Sequence, residues 1–258
     1  MPLRPNGQRR EQLSKKLLIA ILVLLLHGSP LSSLSKSSQR VIDVPVDNLR
    51  ISEIFYSLQG ETRTVGLPTV FVRLAGCPLR CQYCDTAYAF QGGNWKEIDI
   101  ILEEVRQYKT RYVTVTGGEP LAQKGCLNLL KQLCDEGYEV SLETSGALNI
   151  DGVDPRVVKV VDIKTPGSAE VDKNRWANIS FLLPHDQVKF VICSESDYDW
   201  AKQMMQMHQL VTRCEVLFSP SYQQIEPGLL ADWILRDQLS VRLQIQLHKY
   251  LWGDVKGR

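Results

Sequence analysis

Short apolar segments alternate with longer amphipathic segments through most of this 258-residue chain. The short segments are rich in Val, Ile and Phe, as buried strands are. They predict strands at residues 69–75, 112–116, 139–142, 157–163, 187–192 and 215–218. The amphipathic segments predict helices at residues 97–109, 127–136, 196–210 and 229–238. Strand followed by helix, repeated about six times, implies an α/β fold in which right-handed crossovers join the strands of a parallel sheet.

The length of the chain limits the form of this sheet. About 210 residues with six strands are few for a complete eightfold barrel, so an open sheet or a partial barrel is favoured. An alternating pattern over residues 241–252 predicts a further, closing strand with an aromatic tail. Polar or glycine-rich clusters directly follow five strands, at residues 76–86, 116–120, 143–146, 162–167 and 219–222. The carboxyl ends of parallel strands form one edge where ligands bind, so we expect these clusters to converge on a single site.

Three cysteines lie within eight residues directly after the first predicted strand. Cys77, Cys81 and Cys84 have the spacing C-x3-C-x2-C. Structural zinc sites and iron–sulfur clusters usually take four protein ligands, whereas three thiolates hold three irons of a 4Fe–4S cluster and leave the fourth iron open. An open iron can bind a substrate or cofactor. The alternatives are a zinc site with a distant fourth ligand such as His185, or buried cysteines that bind nothing.

Cysteine count and charge exclude several classes of protein. Seven cysteines are an odd number and do not fit a secreted disulfide framework, so we predict reduced thiols in the cytosol. Four of them occur singly in strand or helix patterns and are predicted to pack as small apolar residues. These are Cys126, Cys134, Cys193 and Cys214. The net charge of residues 41–258 is −5, which gives no reason to expect a nucleic-acid partner.

The first 40 residues differ from the rest of the chain. They carry a net charge of +6, and an unbroken apolar run extends from residue 17 to residue 26. Ten apolar residues are too few to cross a bilayer but suit the core of a signal peptide. Export or a membrane tether is one interpretation. The other, which we favour, is that the start of translation is assigned too early. We therefore treat residues 1–45 as an N-terminal extension and residues 46–258 as the functional domain.

The cysteine loop resembles that of radical S-adenosylmethionine (SAM) enzymes, especially because Gly-Gly-Glu-Pro follows the second predicted strand at residues 117–120. Further motifs are Ser-Leu-Gln-Gly-Glu at 57–61, Cys-Asp-Thr at 84–86, Glu-Thr-Ser-Gly at 143–146 and Gln-Leu-His-Lys-Tyr at 246–250. Together with Arg73, they resemble the 7-carboxy-7-deazaguanine synthase family from about residue 46 to the C-terminus. The resemblance implies an α/β fold, a partial (β/α)6 barrel of the radical SAM type with a parallel sheet, modified by short insertions.

For the activity, the resemblance implies a lyase on the route to queuosine and other 7-deazapurines. A reduced 4Fe–4S cluster, held by Cys77, Cys81 and Cys84, binds SAM and cleaves it. The 5′-deoxyadenosyl radical then removes hydrogen from 6-carboxy-5,6,7,8-tetrahydropterin. Ring contraction with loss of ammonia gives 7-carboxy-7-deazaguanine. The cofactors perform the difficult chemistry, while the protein positions groups and excludes water.

The resemblance also assigns the binding residues. Contacts with SAM are expected at Tyr83, Cys84, Asp85, Gly118, Asp162, Ile163 and Lys164. Contacts with the substrate are expected at Leu58, Gln59, Gly60, Arg73 and Thr116. Thr86 is expected to take part in a magnesium site that also binds the substrate carboxylate. Magnesium prefers oxygen ligands and needs few from the protein when substrate and water supply the rest.

Residue chemistry is compatible with these roles. Gly117 and Gly118 lack side chains, so the backbone can approach a cofactor closely. A guanidinium at Arg73, inside an apolar strand, needs an anionic or carbonyl partner. That partner is either the substrate carboxylate or a structural ion pair. Lys164 either neutralises a carboxylate or is an ordinary solvated charge.

The implied partners are the pterin substrate, an external reductant such as flavodoxin or ferredoxin, and a second copy of the chain in a homodimer. Neither a nucleic acid nor a membrane is expected, and the predicted location is cytoplasmic. Two other functions remain open. A glycyl-radical activating enzyme would share the cysteine loop and Gly-Gly-Glu-Pro, but is not expected to share residues 58–61 with Arg73 and Thr86. A non-catalytic metal-binding or electron-carrier protein would need a fourth cluster ligand and no cofactor cleft.

Overall fold

The computed structural model of the chain describes residues 47–257, and the predicted extension at residues 1–45 lies outside them. The strands are β1 (Asn48–Leu58), β2 (Pro68–Leu74), β3 (Asn94–Glu97), β4 (Tyr112–Gly117), β5 (Glu139–Thr144), β6 (Val158–Ile163), β7 (Gln187–Ile192), β8 (Glu215–Pro220) and β9 (Arg242–Leu243). The helices are α1 (Ile98–Arg106), α2 (Cys126–Asp135), α3 (Glu195–Met207), α4 (Pro227–Arg236) and α5 (Leu247–Trp252). Short 3-10 helices lie at Ala87–Phe90, Pro120–Ala122, Pro166–Ser168, Val171–Lys173, Trp176–Phe181 and Leu210–Thr212.

The nine strands within residues 47–257 belong to one sheet, in the order β3-β1-β2-β4-β5-β6-β7-β8-β9. From β2 to β9 every neighbouring pair is parallel. The prediction of a parallel α/β sheet is therefore confirmed, and the six predicted strands lie where β2 and β4–β8 are found. Because β3 and β9 stand at opposite edges of the sheet, the barrel is open and not closed.

Two antiparallel strands, β1 and β3, extend the sheet beyond the predicted part. β1 pairs with β2 so that Leu58 lies opposite Pro68, at the amino end of β2. The register shifts between Ile51 and Glu53. An irregularity of this kind breaks the alternation of inward and outward side chains, which is the signal that sequence analysis uses. The end of β1 therefore approaches the barrel from the side opposite the cysteine loop.

The prediction of a closing strand over residues 241–252 is wrong for most of its length. Strand pairing stops after β9, where the Gln244 N–H donates to the Phe218 carbonyl oxygen at 2.9 Å. The chain then leaves the sheet, and α5 begins where the Leu247 N–H donates to the Gly60 carbonyl oxygen at 2.9 Å. The end of the chain is thus a helix that packs on the turn after β1.

Two apolar clusters form the core. One joins β1, β2, β4 and β5 to α1 and α2, and the other joins β6–β8 to α3 and α4. Cys126 and Cys134 belong to the first cluster and Cys214 to the second, as predicted. The same prediction is wrong for Cys193, which is half-buried outside both clusters. Cys193 directly follows β7, where its N–H donates to Asp197 Oδ2 at 3.1 Å and its thiol lies beside Ser221.

No helix within residues 47–257 has both the length and the apolar character needed to cross a bilayer.

Candidate active site

A cavity of about 520 Å³ opens at the carboxyl ends of the parallel strands. All five of the predicted polar clusters contribute to its lining. The predicted site residues in its lining are Leu58, Gln59, Gly60, Arg73, Cys77, Cys81, Tyr83, Cys84, Asp85, Thr86, Thr116, Gly118, Asp162 and Lys164. The structure therefore brings together residues that are more than 100 positions apart in the sequence. Ile163 is the exception, because its side chain packs in the core beneath β6.

The three cysteines of the loop are free thiols and partly exposed. Burial raises the pKa of the Cys81 thiol to about 11, and the positive charge of Lys164 partly offsets this effect. Within residues 47–257, no three His, Cys, Asp or Glu side chains converge on the position of a single metal ion. A 4Fe–4S cluster places each thiolate on a different iron, so three separated thiols at one cavity fit a cluster better than a mononuclear site.

The zinc alternative is not supported by the position of its fourth ligand. His185 precedes β7 and lies at the amino edge of the parallel sheet, where its carbonyl oxygen accepts a hydrogen bond from Arg63. The cysteine loop follows β2 and lies at the carboxyl edge. The four cysteines outside the loop do not line the cavity either, so no cysteine offers a fourth cluster ligand. This arrangement also disfavours a carrier with a fully ligated cluster.

Gly117 and Gly118 place the end of β4 directly against the cysteine loop. A Cβ atom on Gly117 would lie 2.4 Å from the Leu74 carbonyl oxygen. A Cβ atom on Gly118 would lie 2.2 Å from the Gly76 carbonyl oxygen and 2.8 Å from the Cys77 Cβ atom. At both positions the nearest atom is a backbone oxygen, which cannot rotate away as a side chain could. Only glycine therefore permits this contact.

Glu119 holds two of the loops together, a role that sequence analysis did not assign. The side chain is fully buried and its carboxylate accepts hydrogen bonds from the Thr144 hydroxyl at 2.9 Å and the Ser145 N–H at 2.7 Å. It also accepts from the Leu121 N–H at 3.0 Å. Hydrogen bonds to a buried carboxylate are strong, so Glu119 fixes the loop after β4 to the loop after β5.

The turn after β1 forms the inner end of the cavity. The Gln59 side-chain amide donates to the Thr114 hydroxyl on β4 at 3.0 Å and to Glu143 on β5 at 3.4 Å. Two residues later, Glu61 pairs with Lys189 on β7 at 2.7 Å. The turn thus crosses the open barrel from β4 to β7. Leu58, Gln59 and Gly60 reach the cavity from the amino side of the sheet and not from its carboxyl edge.

The Lys189 ammonium faces three carboxylates at this inner end. Burial alone would raise the pKa of Glu61, but the ion pair with Lys189 lowers it to about 2. Burial and the negative charge of Glu61 raise the pKa of Glu143, whose carboxylate accepts from the Thr116 hydroxyl at 2.9 Å. Lys189 also lies 3.6 Å from Asp162. Of the groups at this inner end, Glu61 and Lys189 were not among the predicted binding residues.

Arg73 has the structural ion pair that the sequence left open. Its Nε donates to Glu53 Oε1 at 2.7 Å, and the Tyr88 hydroxyl donates to the same oxygen at 2.7 Å. The guanidinium also lines the cavity, with its carbon 5.6 Å from the centre of the Phe55 ring. Arg73 is therefore held in place by Glu53 while its remaining donors stay next to the cavity.

The end of β6 offers unpartnered polar atoms to a ligand. Asp162 Oδ1 and the Tyr83 hydroxyl are buried and have no hydrogen-bond partner within residues 47–257. Lys164 is buried and pairs with Asp162 Oδ2 at 3.1 Å, so the alternative of a solvated charge is wrong. Buried polar atoms normally have partners, so two unsatisfied atoms in one cavity wall fit a polar cofactor such as SAM.

Asp85 and Thr86 lie where the cysteine loop meets the C-terminal segment. The Thr86 hydroxyl donates to Asp85 Oδ1 at 2.8 Å. The other Asp85 oxygen lies 3.4 Å from the Gln246 amide and 3.6 Å from Lys249 Nζ. His248 reaches the turn after β1, where a Cβ atom on Gly60 would lie 2.2 Å from its Nδ1 atom. The C-terminal segment therefore covers one side of the cavity.

Comparison with known proteins agrees with this geometry. A family model described as the radical SAM superfamily matches residues 71–164. The 7-carboxy-7-deazaguanine synthase of Chlorobaculum tepidum is 48% identical over 213 residues, which cover 81% of this chain and 97% of that protein. The synthase of Koribacter versatilis is 40% identical over 81% of this chain and 100% of that protein.

The fold agrees as well. The crystal structure of QueE from Escherichia coli matches 78% of this chain and 95% of that chain with a TM-score of 0.63, at 22% identity. With the cysteine loop, the glycine contacts and the cavity in place, the identities to whole relatives are decisive: the chain belongs to the 7-carboxy-7-deazaguanine synthase family of radical SAM enzymes.

Proposed function

We propose that this protein converts 6-carboxy-5,6,7,8-tetrahydropterin to 7-carboxy-7-deazaguanine, with ring contraction and loss of ammonia, in the biosynthesis of queuosine and other 7-deazapurines. The observation that carries the proposal is the cavity itself: three free thiols of one loop face a polar interior that contains Arg73 and Glu143. Relatives named 7-carboxy-7-deazaguanine synthase match most of the chain and support the same reaction.

Cys77, Cys81 and Cys84 would hold a 4Fe–4S cluster, and the cluster with SAM would supply a carbon radical that removes a hydrogen atom from the substrate. Several of this chain's own residues would hold SAM beside the loop. Asp162 Oδ1 and the Tyr83 hydroxyl are free to accept or donate hydrogen bonds. The nearby ammonium of Lys164 can neutralise a carboxylate, and Gly118 lets the backbone come close to the loop.

The inner end of the cavity would hold the pterin. Gln59 is oriented by Thr114 and Glu143, and Thr116 by Glu143, so their polar groups are fixed before substrate binds. Arg73, held through its Nε by Glu53, keeps other donors for the substrate carboxylate. Such fixed groups orient a flat heterocycle and exclude water from the reacting carbon.

Thr86 would hold a magnesium ion at the cavity wall, and the ion would neutralise the substrate carboxylate. The Thr86 hydroxyl and the adjacent Asp85 carboxylate lie at the cavity wall and are oxygen donors of the type that magnesium prefers. Few protein ligands would be needed if water and substrate supplied the rest.

We infer a homodimer in the cytoplasm that receives electrons from flavodoxin or ferredoxin. The functional domain would begin near residue 46, and residues 1–45 would be dispensable for turnover.

Anaerobic turnover with mass-spectrometric detection of the product tests the proposal. The full chain and a variant that begins at Val46 are reconstituted with iron and sulfide. Each then receives reductant, SAM, magnesium and 6-carboxy-5,6,7,8-tetrahydropterin. Both are expected to form 7-carboxy-7-deazaguanine, while Cys81→Ala, which removes one cluster ligand, should form none. Cys126→Ala serves as the matched control, since Cys126 is buried in the core away from the cavity.

The possible failures have different meanings. Formation of 5′-deoxyadenosine without the deazaguanine would keep radical chemistry but reject this substrate. An intact cluster with no cleavage of SAM, or full activity of Cys81→Ala, would reject the assignment of the site.

A further inference from the structure

The cysteine loop rests on a second loop, which directly follows β6. We call residues 165–174 the supporting loop. The Gln82 backbone N–H donates to the Ser168 carbonyl oxygen at 3.1 Å. The Gln82 side-chain amide donates to the Gly167 carbonyl oxygen. Gln82 lies between the second and third cysteines of the motif, so the thiols and the supporting loop are held together at this point.

A second contact joins the same two loops. The Arg80 backbone N–H donates to the Glu170 carboxylate. Glu170 is itself fixed, because its backbone N–H donates to the Ser168 hydroxyl at 3.0 Å. The segments on either side of Cys81 therefore both contact the supporting loop, and a shift of that loop would move the middle thiol.

A carboxylate of α3 holds the supporting loop from behind. Asp197 is only 1% exposed, and its Oδ1 accepts from the Gly167 N–H at 2.8 Å. Its Oδ2 accepts from the Cys193 N–H at 3.1 Å. A Cβ atom on Gly167 would lie 2.2 Å from Asp197 Oδ2, so glycine is needed for this approach. Leaving a buried backbone donor without a partner is costly, and the loop is therefore fixed where Asp197 places it.

The base of the supporting loop connects to the cavity wall. Asn174 accepts from the Lys164 N–H at 2.8 Å and donates to the Lys164 carbonyl oxygen at 2.8 Å. Lys164 pairs with Asp162 inside the cavity. The supporting loop thus contacts the proposed SAM site at its base and the cysteine loop at its middle.

We propose that Asp197 is a positioning residue that sets the cysteine loop relative to the SAM-binding end of β6. Asp197 itself does not line the cavity and acts through Gly167, whose carbonyl oxygen holds Gln82. The inference rests on the proposed function, because it requires a cluster on the three cysteines. SAM must reach the open iron and the groups at Asp162 and Lys164 at the same time, so a displaced loop weakens SAM binding even where the cluster is retained.

Asp197→Asn tests this role, because it keeps the size of the side chain but turns an amide N–H2 towards one of two backbone N–H groups. The reconstituted full chain is measured for iron and sulfide content, for the Kd of SAM by calorimetry, and for the change that SAM causes in the electron paramagnetic resonance spectrum of the reduced cluster. We expect iron and sulfide as in the parent, an altered spectrum, and a Kd about tenfold higher, which corresponds to about 1.4 kcal/mol.

Asp237→Asn is the matched control. Asp237 directly follows α4 and contacts α3, the helix that carries Asp197. Its Oδ2 accepts a hydrogen bond from the Tyr198 hydroxyl on α3 at 2.9 Å. The Asp237→Asn variant should lower the thermal midpoint of unfolding about as much as Asp197→Asn does, without changing the Kd of SAM. Gln82→Ala is a second variant, at an exposed position where folding is not at risk. It removes the side-chain contact directly and should also weaken SAM binding.

The outcomes separate the two proposals. An Asp197→Asn protein with the parent's Kd and spectrum, or an equal loss in Asp237→Asn, overturns the positioning role. If Asp197→Asn does not fold, an unchanged Kd in Gln82→Ala overturns it. A parent chain that binds neither cluster nor SAM refutes the proposed function, and the inference with it.

Discussion

Replacement of Gly118 by alanine is the sharpest test of how closely the backbone approaches the cysteine loop. The new Cβ atom would lie 2.2 Å from the Gly76 carbonyl oxygen, whereas ordinary contact begins at 3.4 Å. One of the two segments must therefore move by about 1 Å, since carbon and oxygen repel strongly at shorter range. Gly76 directly precedes Cys77, so the shift is transmitted to the first thiol.

A misplacement of about 1 Å at a reacting centre costs on the order of 100-fold in rate. We therefore expect Gly118→Ala to form product about 100-fold more slowly than the parent in anaerobic single-turnover assays, with loss of some iron on reconstitution. Gly228→Ala is the control, because nothing lies within 4 Å of its added Cβ atom. Turnover of Gly118→Ala within about twofold of the parent, at equal iron content, would refute the argument.

Three further predictions concern the magnesium site, the substrate carboxylate and the inner ion pair. Thr86→Ala should weaken the dependence of turnover on magnesium but leave SAM cleavage intact; the same magnesium response as the parent would contradict the metal assignment. Arg73→Lys keeps the charge but loses the forked donors, so steady-state kinetics should show a KM for the pterin about tenfold higher with kcat less affected. An unchanged KM would limit Arg73 to its ion pair with Glu53. Glu61→Gln removes a carboxylate whose pKa the ion pair with Lys189 lowers to about 2 from its ordinary 4.5. A lowered pKa stabilises the fold above the ordinary pKa, and this contribution is lost as pH falls towards 2. Denaturant unfolding should show a difference on the order of 3 kcal/mol between parent and variant at neutral pH, falling to about half by pH 3. A difference that stays constant across this range would contradict the pKa assignment.

The outer part of the site was predictable because its residues follow strands directly in the sequence. A parallel sheet brings all such positions to one edge, which is why the cysteine loop, Thr116, Gly118 and the end of β6 meet. The core position of the Ile163 side chain was predictable as well, since successive side chains of a strand point to opposite faces and both of its neighbours face the cavity.

The inner part of the site could not be predicted in this way, because its contacts depend on tertiary structure. Glu61 and Lys189 are 128 residues apart and form an ion pair only once the turn after β1 has crossed the barrel. In the sequence, Lys189 looks like an outward-facing polar residue of an ordinary strand. Glu119 was noticed only as part of a motif, since nothing local shows that its partners would be Thr144 and Ser145.

The short strands at the two edges of the open barrel affect how the protein behaves at high concentration. β3 has four residues and β9 has two, although the sheet that they close within residues 47–257 is nine strands wide. Long exposed edges are templates for pairing with other chains and promote aggregation, and short edges offer few free backbone groups for this. An open barrel leaves its interior accessible to substrate on one side, and the two strands at its edges, β3 and β9, add few free backbone groups of their own.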